Sequence, residues 1–433
     1  MEPVSDLLSV RKHLLDEGPT LFTQRALSSS GISVASWICE CGVSLDEKGK
    51  EGLAALTARL LTAGTRSATK RELASHLDRL AATLTSETSW DGVQVEIRGP
   101  SSVEKELLSI LFDVVSEPVF PIKEVEMTKG RTEEALVRER QLPASMAERT
   151  FLENLFPQSH PYHRNPIGTL RSIRSIKAPD AVAFHKRNYL WGRAKIVVTS
   201  PSKEETVVKE VTGLIPSFSS AGCPLESPSS PSSIKSQDGG FFNIAIPGTQ
   251  QVEVLLGGAA PVRGDQSYSA LRLANEILGG RPVLSRLFQV VREQSGLAYD
   301  ADSDVEMLSQ GGFWTVRAGT EKKTAEKVIS LLQKEVRRLA EETVSQEELD
   351  LIRESFLGSF PLHADAPESA HSLAQEVAIF DLPEDYFLSW PFELRKITPK
   401  ELRDYVSSNL GGYRAPITVV AGPTEGVRPK GRK

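Results

Sequence analysis

Lys195-Ile-Val-Val-Thr-Ser-Pro201 and Ile417-Thr-Val-Val-Ala-Gly-Pro423 read as one strand written twice, 222 residues apart. Other pairs recur at nearly the same interval. Val93-Gln-Val-Glu-Ile-Arg-Gly99 returns as Phe313-Trp-Thr-Val-Arg-Ala-Gly319 at an offset of 220. Pro143 and Pro367 lie 224 apart, each with a serine two residues on (Ser145, Ser369). Pro179 and Pro399, 220 apart, each open a helical pattern. Four matches in one order at intervals of 220 to 224 residues point to a tandem duplication. Between the copies runs Pro216 to Gly240, a Ser/Pro-rich stretch too poor in large apolar residues to bury a core. The expected organisation is a first domain at 1–215, a linker at 216–240 and a second, homologous domain at 241–433.

Each copy has the same order of patterns. Strand segments come first: Ile32–Cys41 in one copy, Phe241–Ile246 and Val252–Gly257 in the other. A helix follows, Gly52–Ala63 or Tyr268–Leu278, and then a shorter helix and an alternating strand. A long amphipathic helix comes next; in the first copy it is Val103–Ser116, with Leu107, Leu108, Ile110, Leu111, Val114 and Val115 as its apolar stripe. Ser101 with Glu104 is expected to form a capping box, and Ser345 with Glu348 and Thr398-Pro399 with Glu401 mark further helix starts. The fold class that follows is α+β: two tandem homologous domains, each a mixed or antiparallel sheet carrying a helical layer.

Composition narrows the function classes. At 433 residues the chain exceeds one ordinary core, and 39% hydrophobic with 25% charged residues excludes a disordered, collagenous or membrane-embedded chain. A net charge of −6, with no dense basic block except Arg428 to Lys433, gives no footing for nucleic acid. No run reaches the length of a spanning helix, so no membrane insertion is expected. Cys39, Cys41 and Cys223 are read as free thiols: the first two lie two apart in a strand, a poor disulfide geometry. The chain as written reads as cytoplasmic, or periplasmic had a leader been removed.

The motifs carry a resemblance. Gly52-Leu-Ala-Ala-Leu-Thr-Ala-Arg-Leu-Leu-Thr-Ala-Gly-Thr65 is followed by His160-Pro-Tyr162, Ile167-Gly-Thr169 and Phe184 to Tyr189. The second copy has Leu278-Gly-Gly280, Leu284-Ser-Arg-Leu-Phe288 and Val291-Arg-Glu-Gln-Ser-Gly-Leu-Ala-Tyr299. Over nearly its whole length the chain resembles the pitrilysin/insulinase superfamily, in the short two-domain form related to mitochondrial processing peptidase. The resemblance implies a processing-peptidase-like clam half. In that family a helical His-x-x-Glu-His binds zinc through its histidines, and its glutamate activates water. Here those stations are Ala55, Ala58 and Arg59, so no catalytic or metal residue is assigned to this chain. Glu133, Glu134 and Glu139 fall near the family's third ligand but read as the charged face of a helix. His160-x-x-His163 matches the family's structural turn rather than a metal site.

In two-subunit members of the family, a zinc-less subunit lends an arginine and a tyrosine to the substrate carbonyl. Arg292 and Tyr299 match that pair. On pattern alone Arg292 reads as a surface residue and Tyr299 as core; the flanking motifs favour the substrate-binding assignment. The resemblance implies a non-catalytic, substrate-binding subunit of a heterodimeric zinc metallopeptidase cleaving unfolded peptides. Zinc is expected in a homologous partner subunit, none in this chain, and activity only with that partner. The alternative is a non-enzymatic core, scaffold or peptide-binding protein of the same fold. Gly279-Gly280 is no phosphate loop, since neither GxxxxGK[ST] nor GxGxxG occurs, and no GxSxG elbow supports a serine nucleophile.

Overall fold

The computed structural model describes residues 8–15, 18–26, 30–215 and 239–427. The linker expected at 216–240 lies outside the described residues except for Gly239 and Gly240, as do Cys223 and the basic tail Arg428 to Lys433.

In the first copy the chain forms β1 (Val10–Leu14), β2 (Thr20–Arg25), β3 (Ile32–Cys39), α1 (Leu53–Leu60), α2 (Lys70–Arg79), β4 (Thr83–Thr88) and β5 (Val93–Pro100). There follow α3 (Glu104–Ser116), α4 (Ile122–Glu139), α5 (Pro143–Leu155), α6 (Ala178–Asn188) and β6 (Lys195–Ser200). The second copy gives β7 (Phe241–Ala245), β8 (Val252–Ala260), α7 (Tyr268–Asn275), α8 (Phe288–Gln294), β9 (Ala298–Met307) and β10 (Gly312–Thr320). It ends with α9 (Ala325–Glu341), α10 (Pro367–Phe380), α11 (Pro399–Asn409) and β11 (Ile417–Gly422).

The two sheets have one topology. The first runs β1-β2-β6-β3-β5-β4 and the second β7-β11-β8-β10-β9. Setting aside the extra strand β1, each position has its counterpart, down to one parallel pair apiece, β2 with β6 and β7 with β11. The strands that recur at 222 and 220 residues, β6 with β11 and β5 with β10, occupy matching places.

Two compact units divide the chain, and they are not contiguous halves. The first takes residues up to Leu136, those from Arg164 to the linker, and Ser359–Ser389; the second takes Val137–His163, the residues after the linker to Gly358, and those from Trp390 onward. The matching helices α5 and α10 have therefore changed places: α5 packs on β11 and β8 of the second sheet, and α10 on β6 and β3 of the first. This exchange explains the repeated apolar strand. β6 and β11 are buried along almost their whole length because a helix covers the face that the core does not. A strand buried on both faces reads as a continuous apolar run instead of an alternation. β5, by contrast, alternates, and its Val93, Val95 and Ile97 turn inward with the stripe of α3.

Local expectations meet one correction. The Thr398–Glu401 capping box is present, and Ser345 Oγ accepts the Glu348 N–H at 3.1 Å. The Ser101–Glu104 box is not formed, because Glu104 turns inward and accepts from Ser33 Oγ at 2.5 Å. Cys39 and Cys41 are buried free thiols.

Candidate functional site

The first candidate station lies on α1. Asp46 positions this helix, its carboxylate accepting the N–H groups of Gly52 (2.6 Å) and Ala54 (2.8 Å) at the helix start. Burial pushes this carboxyl up to about 7, against the opposite pull of those two donors and of Arg164. Ala55 and Ala58 are buried, at 4% and 0% exposure. Arg59 points out of the apolar stripe, and its Nη1 donates to Thr132 Oγ1 of α4 at 3.1 Å. Burial lowers the guanidinium pKa, so its charge is held at some cost.

This contact decides which residue of α4 faces the motif. The inner stripe of α4 is Val125, Lys129, Thr132 and Leu136. Glu133 instead pairs with Arg174 at 2.9 Å, and Glu134 is exposed. Lys129, one turn before Thr132 and 8% exposed, adds a second cation on that stripe, with Glu126 Oε1 3.0 Å from its Nζ. Zinc does not fit this donor set: two methyl groups, a hydroxyl and two cations offer no set of anionic or imidazole ligands. Among the described residues no group of three or more His, Cys, Asp or Glu side chains is placed to hold a metal. The His160/His163 turn is engaged structurally: His160 Nδ1 accepts the Tyr162 N–H (3.1 Å), and His163 Nδ1 is 2.9 Å from the Phe156 carbonyl.

The second station lies in the other unit, where Arg292 and Tyr299 come together. Helix α8 is wound with wide i→i+5 turns and ends at Gly296, whose φ of +57° is the left-handed form that caps helices. The Gly296 N–H returns to Arg292 O (2.9 Å) and the Leu297 N–H to Val291 O (3.0 Å), turning the chain directly into β9. Residues seven apart thus meet across the turn. The Arg292 guanidinium lies 4.7 Å from the Tyr299 ring centroid and 4.8 Å from that of Phe288, a cation held against two aromatic faces. Glu293 is a distant ion partner at 4.0 Å.

Tyr299 is 80% exposed, which overturns its reading as core. The register with β10 slips by one residue between Ala298 and Ala301, and this bulge takes Tyr299 out of the alternation that buries Ala301, Ser303, Val305 and Met307. The pair sets a guanidinium beside an exposed phenol at one turn, and both groups can donate hydrogen bonds. The approach to the turn is firmly built: Arg286 makes a two-pronged contact with Glu348, both bonds 2.7 Å. Gly279 allows the end of the preceding helix to touch β9, since a Cβ there would meet Ser303 N at 2.4 Å.

Sequence reasoning missed Thr132 and Phe288. The i, i+4, i+7, i+11 spacing of Val125, Lys129, Thr132 and Leu136 was the available signal for the first, and the i, i+4 spacing of Phe288 and Arg292 for the second.

Two family models together cover most of the chain. Residues 24–162 match the family model described as insulinase (peptidase family M16), and residues 175–356 the model described as the peptidase M16 inactive domain. A Helicobacter pylori protein described as a non-peptidase homolog is 24% identical over 369 residues, 85% of this chain and 84% of that one. A Streptomyces coelicolor protein described as an uncharacterized zinc protease is 22% identical over 420 residues, 96% of this chain and 90% of that one. A crystal structure of a peptidase M16 inactive domain from Pseudomonas fluorescens superposes with a TM-score of 0.88 at 22% identity, covering 97% of this chain and 99% of that one.

Proposed function

Because the chain belongs to the insulinase, or M16, peptidase family and keeps the fold without the metal donors, we propose that it is the substrate-binding subunit of a heterodimeric zinc metallopeptidase. The observation that carries this reading is the contrast between its two stations. Ala55 and Ala58 are sealed by packing and Arg59 is tied to Thr132, whereas Arg292 and Tyr299 are stacked and turned to solvent. A structural arginine and tyrosine would be expected to bury the ring or satisfy the hydroxyl.

The work of this chain is to bind and orient. Stacking on Phe288 and Tyr299 fixes the guanidinium plane, so fewer rotamers are lost when a peptide carbonyl arrives. The phenol, with no bonded partner among the described residues, supplies a second donor to the same oxygen. Two fixed donors polarise the carbonyl and stabilise the charge that grows on it. A homologous partner bearing His-x-x-Glu-His would supply the zinc that activates water; no proton transfer is assigned to this chain.

The test is to combine the chain with such a partner and follow cleavage of an unfolded peptide. Arg292→Ala is expected to lower kcat/KM by about 10²-fold, the usual loss of one oxyanion donor, and Tyr299→Phe by less. Unchanged kcat/KM in the double variant would remove the assigned role. The second reading, a non-enzymatic scaffold of the same fold, is favoured by the description of the Helicobacter pylori relative. A native complex without a zinc-bearing homologue would select it.

A further inference from the structure

The helix without zinc ligands still carries charge. Arg59 reaches from α1 to the inner stripe of α4, where Lys129 lies one turn before Thr132. Lys129 is 8% exposed; lysine is seldom so buried without a close counter-charge, and its partner Glu126 is an exposed carboxylate. Arg59 keeps accessible surface, so a ligand can reach it, although burial already lowers its pKa.

The guanidinium is not balanced by an anion. Its Nη1 donates to Thr132 Oγ1 at 3.1 Å, and that neutral hydroxyl spends its own proton on Thr128 O at 2.9 Å. Among the described residues no carboxylate pairs with Arg59, and its Nε and Nη2 have no acceptor. Helix α4 is not short of acids. Glu124 pairs with Lys70, Glu126 with Lys129 and Glu133 with Arg174, while Glu134 is exposed. These carboxylates are engaged elsewhere or turned outward, and the stripe that meets Arg59 is left cationic.

We propose that Arg59, backed by Lys129 and held by Thr132, forms an anion site that takes one carboxylate of a peptide, at its C-terminus or on an acidic side chain. The Nε–Nη2 edge of the guanidinium is a planar pair of donors that matches two carboxylate oxygens. The buried ammonium adds attraction from the next turn. Phosphate suits the site less, because Thr132 has no proton left for a third oxygen. The station has changed sign: where the family's motif gathers ligands for a metal cation, this chain offers donors to an anion. The alternative is an arginine that only braces α1 against α4, and ligand binding separates the two. The site goes beyond the Arg292–Tyr299 reading and needs no zinc-bearing partner.

Full-length chain is titrated into a short peptide carrying a neutral dansyl label, made in three forms, and anisotropy is read. One form has a free C-terminus and no acidic side chain, one is amidated and neutral, and one is amidated with a central glutamate. At least one carboxylate form is expected to bind about tenfold more tightly than the neutral form, and which one does so names the source. Arg59→Gln should abolish the preference, and Arg59→Lys should restore only part of it, because the charge returns without the fork. Lys129→Met keeps the apolar stem and should weaken binding to a lesser degree. Melts check that each variant folds, and the exposed Arg59 position carries the test if Lys129→Met does not. Acetate should compete at lower concentration than inorganic phosphate.

Equal binding of the three forms, binding of none, or a preference unaltered in folded Arg59→Gln overturns the proposal and leaves Arg59 as a brace. Displacement by phosphate more readily than by acetate overturns the carboxylate assignment. The outcome is separable from the test on Arg292 and Tyr299, which reads cleavage in the heterodimer. Either can fail while the other stands.

Discussion

Arg59 shows how one residue closes off a chemistry. Two histidines four apart on α1 would share a face, but the partner that α4 brings to that face is Thr132, with Lys129 one turn away. Restoring Ala55→His and Arg59→His alone should therefore yield no stoichiometric zinc after dialysis, because a third ligand is missing and a buried cation opposes a dication. Adding Thr132→Glu should bring the metal content to about one equivalent. Full loading of the double variant would mean that another group faces the site. The resemblance in the Gly52–Thr65 motif placed Ala55 and Arg59 at the family's histidine stations. It could not say which residue of a helix about seventy positions away faces them, because helix phase and the placing of α4 against α1 are tertiary properties.

At the scale of elements, the exchanged helices depend on small residues beneath them. Gly257 of β8 lies under α5: a Cβ there would stand 2.6 Å from Phe151 Cε2 and 2.4 Å from Trp314 O. Phe151 is fully buried and meets Phe313 edge-on at 5.9 Å between centroids. Gly257→Ala should cost about 1–3 kcal/mol by overpacking, and Phe151→Ala about 3–5 kcal/mol by cavity formation. Thermal melts of both variants check this, and an unchanged Tm for Phe151→Ala would mean that α5 does not anchor the unit. The strand patterns of β3, β5, β6, β8, β10 and β11 were legible because burial imposes its period directly on side-chain type. Strands β1, β4 and β9 were not. Their sequences are charged or polar, and strand formation there is imposed by the neighbour that supplies the ladder.

Across the molecule, the two covering helices solve one packing problem with different chemistry. Where α5 sets Phe151 over the second sheet, α10 sets His371 and Gln375 over the first. His371, 1% exposed, lies 2.8 Å from Ser36 Oγ and 2.9 Å from Thr199 Oγ1; Gln375 bonds Ser36 and Glu96, and Thr199 bonds Gln24. Glu96, at 3.9 Å, is the nearest ion partner. Burial lowers the imidazole pKa from 6.5 to about 3. Between those values the unfolded chain binds the proton and the folded chain does not. The contribution is thus complete above pH 6.5 and lost as pH falls toward 3, by at most about 1.4 kcal/mol per pH unit. Asp46 and Glu253, each pushed up to about 7, work in the opposite sense, favouring the folded state as pH falls through that value. The informative quantity is therefore a difference: the Tm of the wild type minus that of His371→Gln should shrink from pH 7 to pH 4. A constant difference would show that the imidazole does not titrate across folding.

The sequence by itself determined that the chain is a duplicated α+β fold and that Ala55, Ala58 and Arg59 offer no imidazole or carboxylate. Those facts are local in the chain: periodicity, spacing and residue type. Only the tertiary structure decided that the matching helices α5 and α10 are exchanged, that Thr132 meets Arg59, and that Arg292 and Tyr299 stack across the Gly296 turn with the ring in solvent. The physical reason is common to all three. A hydrophobic pattern fixes which face of an element must be covered, but any complementary face can cover it. Which one does so is settled by the packing of the whole chain.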